Sequence, residues 1–139
     1  MVLNFKKIYI KAFLSFEEDY SSFLNRYKNV LLVDDAQVGG EKHILQAFLH
    51  AKKAFKEKNN FAKKFPLEFL VRLCGERQIN KAIEKSSKEN KKIFICWGKN
   101  CDKIWNLFKK QFKINELRFE NKKDELDFLH RTATFWLKP

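Results

Sequence analysis

The chain is poor in the residues that interrupt regular structure. Its 139 residues include only 4 Gly and 2 Pro, which leaves little material for flexible linkers or low-complexity segments. The longest apolar run covers residues 93–97, whereas a membrane-spanning helix needs about 20 apolar residues. The first residues lack the apolar core of a secretory signal. We therefore predict one soluble domain over residues 1–139, with no membrane contact.

Cysteine is also scarce. The chain has 3 Cys, and an odd number without a secretory signal indicates reduced thiols in a cytoplasmic protein. Cys96 and Cys101 are close in sequence, but a structural zinc ion needs four Cys or His ligands and no nearby pair completes such a set. We predict no metal site and no cofactor.

Positive charge is abundant and unevenly placed. The chain has 29 Lys and Arg against 17 Asp and Glu, a net charge of +12. Residues 1–35 hold five of each sign, so the excess lies in residues 36–139. This distribution predicts a basic face, for which a phosphate backbone is the favoured partner. The alternative is that lysine serves here as ordinary solvated surface.

Apolar periodicity predicts an α/β (α+β) fold with a mixed β-sheet and helices packed against it. Alternating or continuous apolar residues predict strands over 8–14, 30–33, 67–73 and 93–97. Helical spacing predicts helices over 16–28, 44–58, 77–88, 101–112 and from about 124, with a further short helix in 59–66. Ser15 and Glu18 have the spacing of a capping box at the start of the first helix.

The sequence shows no convincing catalytic group. Gly39 and Gly40 precede a helix but belong to no phosphate-binding motif, so a turn is the better interpretation. His43 and His50 lie on one side of the same predicted helix, yet no companion carboxylate completes a site. We predict no catalytic residue, no enzymatic activity and no small-molecule substrate.

Two neighbouring segments resemble a known family. The segments are HILQAFLHAKKAF, which starts at His43, and LEFLVRLCGERQINKAIEK, which contains Glu68 and then Gly75, Glu76, Arg77, Gln78 and Ile79. They resemble the small-subunit family of the KEOPS complex, the family of the PRPK-binding protein. The resemblance is strong over residues 39–88 and looser in the last helix, where Thr132 and Thr134 are more polar than the family pattern.

The resemblance implies a non-catalytic accessory subunit. Such a subunit binds the N-terminal lobe of the kinase-like ATPase of KEOPS and supports its activity. It also helps to hold the acceptor CCA end of tRNA while another subunit transfers threonylcarbamoyl to the adenosine beside the anticodon. The compact, Lys-rich chain is typical of an archaeal member.

The last helix is the predicted partner surface, because its apolar residues cannot all face one core stripe. The alternative is a helix that is buried on most sides. The predicted partner-binding residues are Phe128, Leu129, Thr132, Ala133, Phe135 and Trp136.

The region around Gly75 is the predicted tRNA-binding surface. The start of the helix after Gly75 offers amide donors for a phosphate, and Arg77 adds a planar fork of donors. The alternative is that Glu76 and Arg77 only cap and brace that helix. The predicted tRNA-binding residues are Lys52, Lys53, Lys63, Lys64, Arg72, Gly75, Arg77, Gln78 and Lys81.

Two other functions stay open at this point. One is a small enzyme acting on nucleic acid or nucleotides, with His43, His50 or Cys74 at its centre. The other is an RNA-binding protein outside KEOPS, which would have no kinase-like partner.

Overall fold

The computed structural model describes residues 8–16 and 19–135. Four strands form one sheet in the order β2-β3-β1-β4, and the pairings β1–β3, β1–β4 and β2–β3 are all antiparallel. The strands are β1 (Ile8–Ser15), β2 (Val30–Asp34), β3 (Lys91–Trp97) and β4 (Ile114–Leu117). The helices are α1 (Ser21–Arg26), α2 (Glu41–Lys56), α3 (Phe65–Cys74), α4 (Ile79–Lys85), α5 (Cys101–Gln111) and α6 (Glu125–Ala133).

Alternation along the strands separates two hydrophobic cores, one on each face of the sheet. Because successive strand residues point to opposite faces, Ile93 and Ile95 enter one core while Phe94 and Cys96 enter the other. The first core, which we call the α2 face, is completed by residues of α2, α3, α4 and the C-terminal segment. The second, the aromatic face, is completed by residues of α1 and α5.

The predicted α+β class with helices packed on a sheet is confirmed, although the sheet is antiparallel in the residues described here rather than mixed. The prediction of a strand over 67–73 is wrong, because this segment belongs to α3. Residues 68–74 are all buried, so apolar residues surround the helix and its pattern also fits a strand. Pro66 in the first turn favours the helical start.

Several element boundaries also differ from the predictions. The first helix begins at Ser21, since Ser15 belongs to β1, and Glu18 of the proposed capping box lies outside the described residues. Residues 61–64 form bends and residues 59 and 60 have no regular structure, so the short helix predicted in 59–66 is not formed before α3. Strand β4 was not predicted, since Ile114–Leu117 alternates over only four residues. Ile83 on α4 is 42% exposed. In the ranges given above, no helix has the length and apolar character to cross a membrane.

Candidate nucleic-acid interface

Gly75 ends α3 in a left-handed conformation, with φ 66° and ψ 31°. The Gly75 amide donates to the Arg72 carbonyl at 3.3 Å and the Glu76 amide to the Val71 carbonyl at 3.0 Å. These two bonds are the Schellman motif that commonly ends a helix at glycine. The glycine of the family-like motif is therefore explained by the backbone at this point.

Arg131 of α6 covers Gly75. A Cβ atom at position 75 would lie 2.6 Å from Cγ of Arg131. The Arg131 guanidinium donates to the carbonyls of Leu73 at 2.7 Å and Gln37 at 3.0 Å. Gly75 thus makes room for a side chain that ties α6 to the end of α3, and its backbone is buried.

Arg77 and Glu76 are also engaged within the fold. Arg77 donates through Nε and Nη2 to the Phe135 carbonyl, at 3.3 and 3.0 Å. The Gln78 amide, which was predicted to be a free donor, donates to Oε1 of Glu76 at 3.3 Å, and this bond lowers the pKa of Glu76. Glu76 and Arg77 therefore brace the start of α4 and the backbone at Phe135, which follows α6.

Glu68 and Arg72 form a buried ion pair inside α3. Nε of Arg72 lies 2.8 Å from Oε2 of Glu68, and the two side chains are 1% and 0% exposed. The prediction that Arg72 contacts tRNA is wrong, because its guanidinium is enclosed by protein. It lies 4.8 Å from the ring centre of Phe135 and 5.6 Å from that of Phe61.

The second oxygen of Glu68 holds the segment before α3. Its Oε1 accepts from the amides of Phe61 at 2.7 Å and Ala62 at 2.8 Å. We call residues 57–64 the basic loop. Near its start, Lys58 has a positive φ of 60°, a conformation that is uncommon for residues other than glycine. A buried carboxylate thus fixes the backbone of an exposed loop.

Phe61 presents an aromatic ring at the centre of this loop. Its side chain is 40% exposed and packs edge-on against Phe135 with ring centres 5.4 Å apart. The Arg77 guanidinium lies 5.4 Å from the Phe61 ring centre. Sequence reasoning missed Phe61; the available signal was an aromatic residue between lysines in a segment without apolar periodicity.

Lysines surround Phe61 in sequence and lie on the surface. Between positions 52 and 64 there are six Lys and one acidic residue, Glu57, and all seven are exposed. Lys52 and Lys53 project from α2, which packs against α3, while Lys63 and Lys64 lie in the basic loop that leads into α3. Lys81 is exposed on α4, so it belongs to a separate helix that contacts α3.

Only part of the predicted partner surface on the last helix lies on the outside of the protein. Thr132 and Phe135 are both 0% exposed, so their assignment to an exposed partner surface is wrong. Phe128 is half-buried, with its ring centre 5.1 Å from that of His43. Trp136 lies outside the described residues.

The outer side of α6 carries a different apolar set. Leu126 is 75% exposed, Ala133 is exposed and Leu129 is half-buried. These positions are three and four residues apart, so they share one side of the helix. Sequence reasoning included Leu129 and Ala133 in the partner surface but missed Leu126, because the Leu126, Leu129 and Ala133 spacing and the Phe128, Thr132 and Phe135 spacing are equally helical.

The start of α2 is closed by the segment that leads into α6. Oδ1 of Asn121 accepts from the Glu41 amide at 2.8 Å, and Oε2 of Glu125 accepts from the His43 amide at 3.2 Å. Because these side chains occupy the amides that a phosphate would need, Gly39 and Gly40 serve as a turn under α6. The prediction that they form no phosphate-binding loop agrees with this packing.

The candidate histidines and cysteines are held in the core. His43 is fully buried, with Nδ1 accepting from the Gly39 amide at 2.9 Å and Nε2 lying 3.1 Å from the Leu73 carbonyl. Burial, followed by the charge of Arg131, lowers the pKa of His43 to about 4. Burial raises the pKa of Cys74 to about 12, so the reactive thiolate is disfavoured.

The remaining candidate groups follow the same trend. Burial lowers the pKa of the half-buried His50, and the charges of Arg72 and Lys53 act in the same direction. Burial also raises the pKa of Cys96. Within the described part of the chain, no cluster of three or more His, Cys, Asp or Glu has metal-binding geometry.

No protein-family model matches this chain, and no curated protein matches it either.

Proposed function

We propose that this chain is a non-catalytic accessory subunit of a KEOPS-type assembly that acts in the cytoplasm. In this role it holds the single-stranded CCA end of tRNA at the basic loop during threonylcarbamoyladenosine formation. It also binds the kinase-like ATPase of the assembly through the outer side of α6. The resemblance over residues 39–88 supplies the identity of these partners.

The observation that carries the RNA-binding part is Phe61, an exposed ring on a loop whose backbone is fixed from below by Glu68. A single-stranded end exposes base faces, and stacking on an aromatic side chain contributes about 1–3 kcal/mol per base. Exposed lysines on both sides of the ring add attraction to the phosphates. A fixed loop lowers the ordering cost of binding.

The revised RNA-binding set follows from the exposed groups. Lys52, Lys53, Lys63 and Lys64 remain in it, and Phe61 joins it as the stacking residue. Arg77 takes a supporting role through its contact with the Phe61 ring. Arg72 leaves the set because it is buried, and Gly75 because its surface is covered by Arg131.

The partner surface also changes residues while staying on α6. Leu126, Leu129 and Ala133 form the exposed apolar stripe. A large apolar side chain such as Leu126, 75% exposed, contributes binding energy when a partner covers it. The buried Phe135 would contribute only indirectly, by holding the helix in place.

Binding of a tRNA-like hairpin ending in CCA tests the RNA-binding proposal. We expect Phe61→Ala to weaken binding by about 1–3 kcal/mol in fluorescence anisotropy. Phe16→Ala is the matched control, because Phe16 is 56% exposed and lies outside the basic loop. Removing CCA from the hairpin should erase the difference between Phe61→Ala and the unmodified protein. Equal affinities for the two variants would refute the assignment of Phe61.

Salt dependence tests the lysines separately. For single-stranded nucleic acid, each phosphate contact contributes about 0.7 to the slope of log affinity against log salt. Lys63→Ala with Lys64→Ala should therefore reduce this slope by about 1.4. Lys103→Ala with Lys110→Ala, at exposed positions of α5, should leave it nearly unchanged. An equal reduction in both double variants would indicate nonspecific attraction.

Gel filtration with the kinase-like ATPase tests the partner proposal. We expect a stable complex without RNA, and we expect Leu126→Asp to break it while the isolated chain stays folded. Asp127→Ala, an exposed neighbour on α6, is the control. Failure to form a complex, together with salt-sensitive RNA binding, would favour the second candidate, an RNA-binding protein outside KEOPS. That candidate is supported by the basic loop, which is built from this chain alone.

A further inference from the structure

Strand β2 lies at an edge of the sheet and its outer side is only partly covered. The pairing of the Trp97 amide with the Asn29 carbonyl sets the register, so Leu31 and Val33 direct their backbone groups toward β3. Val30, Leu32 and Asp34 then direct theirs outward. The Asp34 amide donates to the Ser86 carbonyl at 3.1 Å, which closes that end of the strand.

Val30 and Leu32 keep an unpaired edge, where Val30 is 3% exposed and Leu32 is half-buried. Within residues 8–16 and 19–135, no hydrogen bond engages the outward N–H and C=O groups of these two residues. Unpaired strand edges of this kind can pair with another strand. The opposite edge of the sheet is less suited, because β4 is only four residues long and carries the exposed Glu116.

An apolar cavity of about 590 Å³ lies beside this unpaired edge. Its volume falls in the range of about 300–1,000 Å³ typical of ligand sites. Strand β2 forms one wall, and the other walls come from the end of α1, the start of α3 and the end of α4. The apolar side chains include Leu24, Leu32, Leu67 and Ile83.

The charged groups of the cavity are all positive. Among the described residues that line it, Lys28 and Lys64 are the charged ones, beside polar side chains that include Asn25, Ser86 and Ser87. Both lysines are exposed, so they are available to a bound anion. An occupant with carboxylates near its ends would complement them.

We infer that this groove binds an extended acidic peptide, which adds to β2 as a fifth strand. Its backbone pairs with the outward groups of Val30 and Leu32, its apolar side chains fill the cavity, and its carboxylates approach Lys28 and Lys64. Main-chain pairing supplies affinity in this mode of recognition, while the pockets for side chains supply specificity. The site is separate from the outer side of α6 and shares only Lys64 with the basic loop.

The test uses the full chain labelled with ¹⁵N and a capped seven-residue peptide of alternating glutamate and valine. We expect the amides of Val30 and Leu32 to show the largest chemical-shift changes and slowed hydrogen exchange. A control peptide with methyl groups on its two central amide nitrogens, which block both of its edges, should bind at least about tenfold more weakly. Equal affinity of the two peptides, or no binding at all, would overturn strand addition.

Charge and location are tested on the protein side. Lys28→Glu should weaken binding of the acidic peptide by about fivefold, whereas Lys103→Glu on α5 should leave it unchanged. Lys28 lies outside the basic loop, so this result does not depend on RNA binding. A peptide affinity that drops with Phe61→Leu and is insensitive to Lys28→Glu would place the peptide on the basic loop and overturn the assignment.

Discussion

Both faces of the sheet contain packed rings, including Phe48, Phe65 and Phe69 on the α2 face, but the faces differ in their buried charged groups. On the aromatic face, rings contact rings: Phe108 lies 5.3 Å from Phe13, 5.4 Å from Phe94 and 5.8 Å from Trp105 between centres. On the α2 face, buried polar groups cross the apolar core, namely the Glu68–Arg72 pair and His43. The first face needs shape and apolar area, whereas the second also needs every polar partner in place.

The buried polar groups of the α2 face control the conformation of the surface above them. A buried ion pair is weak evidence for stability, because desolvation of the charges offsets their attraction. Glu68 nevertheless binds two amides of the basic loop and one guanidinium, so it fixes loop conformation. The polar network thus lies under the surface that we propose for RNA, and the aromatic face acts as the scaffold.

Removing the charge of Glu68 on the α2 face should cause the largest loss of stability. Glu68→Gln keeps the shape but leaves Arg72 without its buried carboxylate, so the free energy of unfolding should fall by about 3–5 kcal/mol. Phe108→Leu on the aromatic face should cost less, about 1–2 kcal/mol. Urea denaturation followed by circular dichroism measures both. Similar losses would show that the two faces do not differ in this way.

Acidification should weaken the α2 face through His43. Its pKa is about 4 in the folded protein and about 6.5 in an unfolded chain. The unfolded chain therefore binds more protons between these values, and stability is lost as pH falls from about 6.5 to about 4. The expected loss is about 2–3 kcal/mol.

His43→Gln provides the comparison for this pH effect. In that variant the fall in unfolding free energy between pH 7 and 4 should be much smaller, with His50 accounting for part of the remainder. Phe108→Leu should lower stability without changing the pH dependence. If His43→Gln had the same pH profile as the unmodified protein, protonation of His43 would not be the cause of the loss of stability at low pH.

Substitutions at two glycines with positive φ distinguish the energetic cost of backbone strain from the cost of a packing clash. Gly75→Ala should destabilise the protein by about 2–3 kcal/mol, because it adds a clash with Arg131 to the cost of a left-handed residue. Gly98 has a φ of 83° and open space around an added Cβ. Gly98→Ala should therefore destabilise the protein by about 1 kcal/mol. Equal losses in thermal unfolding would mean that Arg131 moves aside without cost.

The smallest effect on stability is expected at Phe61. Phe61→Leu retains apolar bulk over Phe135, so the free energy of unfolding should change by less than about 1 kcal/mol. The same change removes the flat ring and should weaken binding of a CCA-ended RNA. A large loss of stability in denaturant titration would show that the ring is structural.

The amphipathic helices α2, α5 and α6 were the part of the fold most accessible from sequence, and the sheet was found only in part. Three of its strands follow from short apolar patterns around Ile10, Leu31 and Ile95, because one or both faces are buried. Helix α3 was mistaken for a strand because burial on all sides removes the difference between the two periods. The class of the fold was predictable, whereas strand order depends on contacts distant in sequence.

The candidate site was only partly predictable for a related reason. The positions of the lysines in the sequence were enough to identify them as candidates, because lysine side chains are mostly exposed. The burial of Arg72 depends on Glu68 four residues earlier and on Phe135 at the far end of the chain. Phe61 was recognised as a candidate stacking residue only once the structure showed its exposed ring and its fixed loop. The orientation of α6 likewise depends on Gly39, where Phe128 packs.

The most direct test of the central claim maps RNA onto the folded protein. A single-stranded oligonucleotide ending in CCA is titrated into ¹⁵N-labelled protein, and amide shifts are compared between the two faces. The account predicts that the largest changes fall on the basic loop, residues 57–64, and that Phe61→Leu reduces them. Changes centred on α5, or none at RNA concentrations that saturate a lysine-dependent interaction, would contradict it.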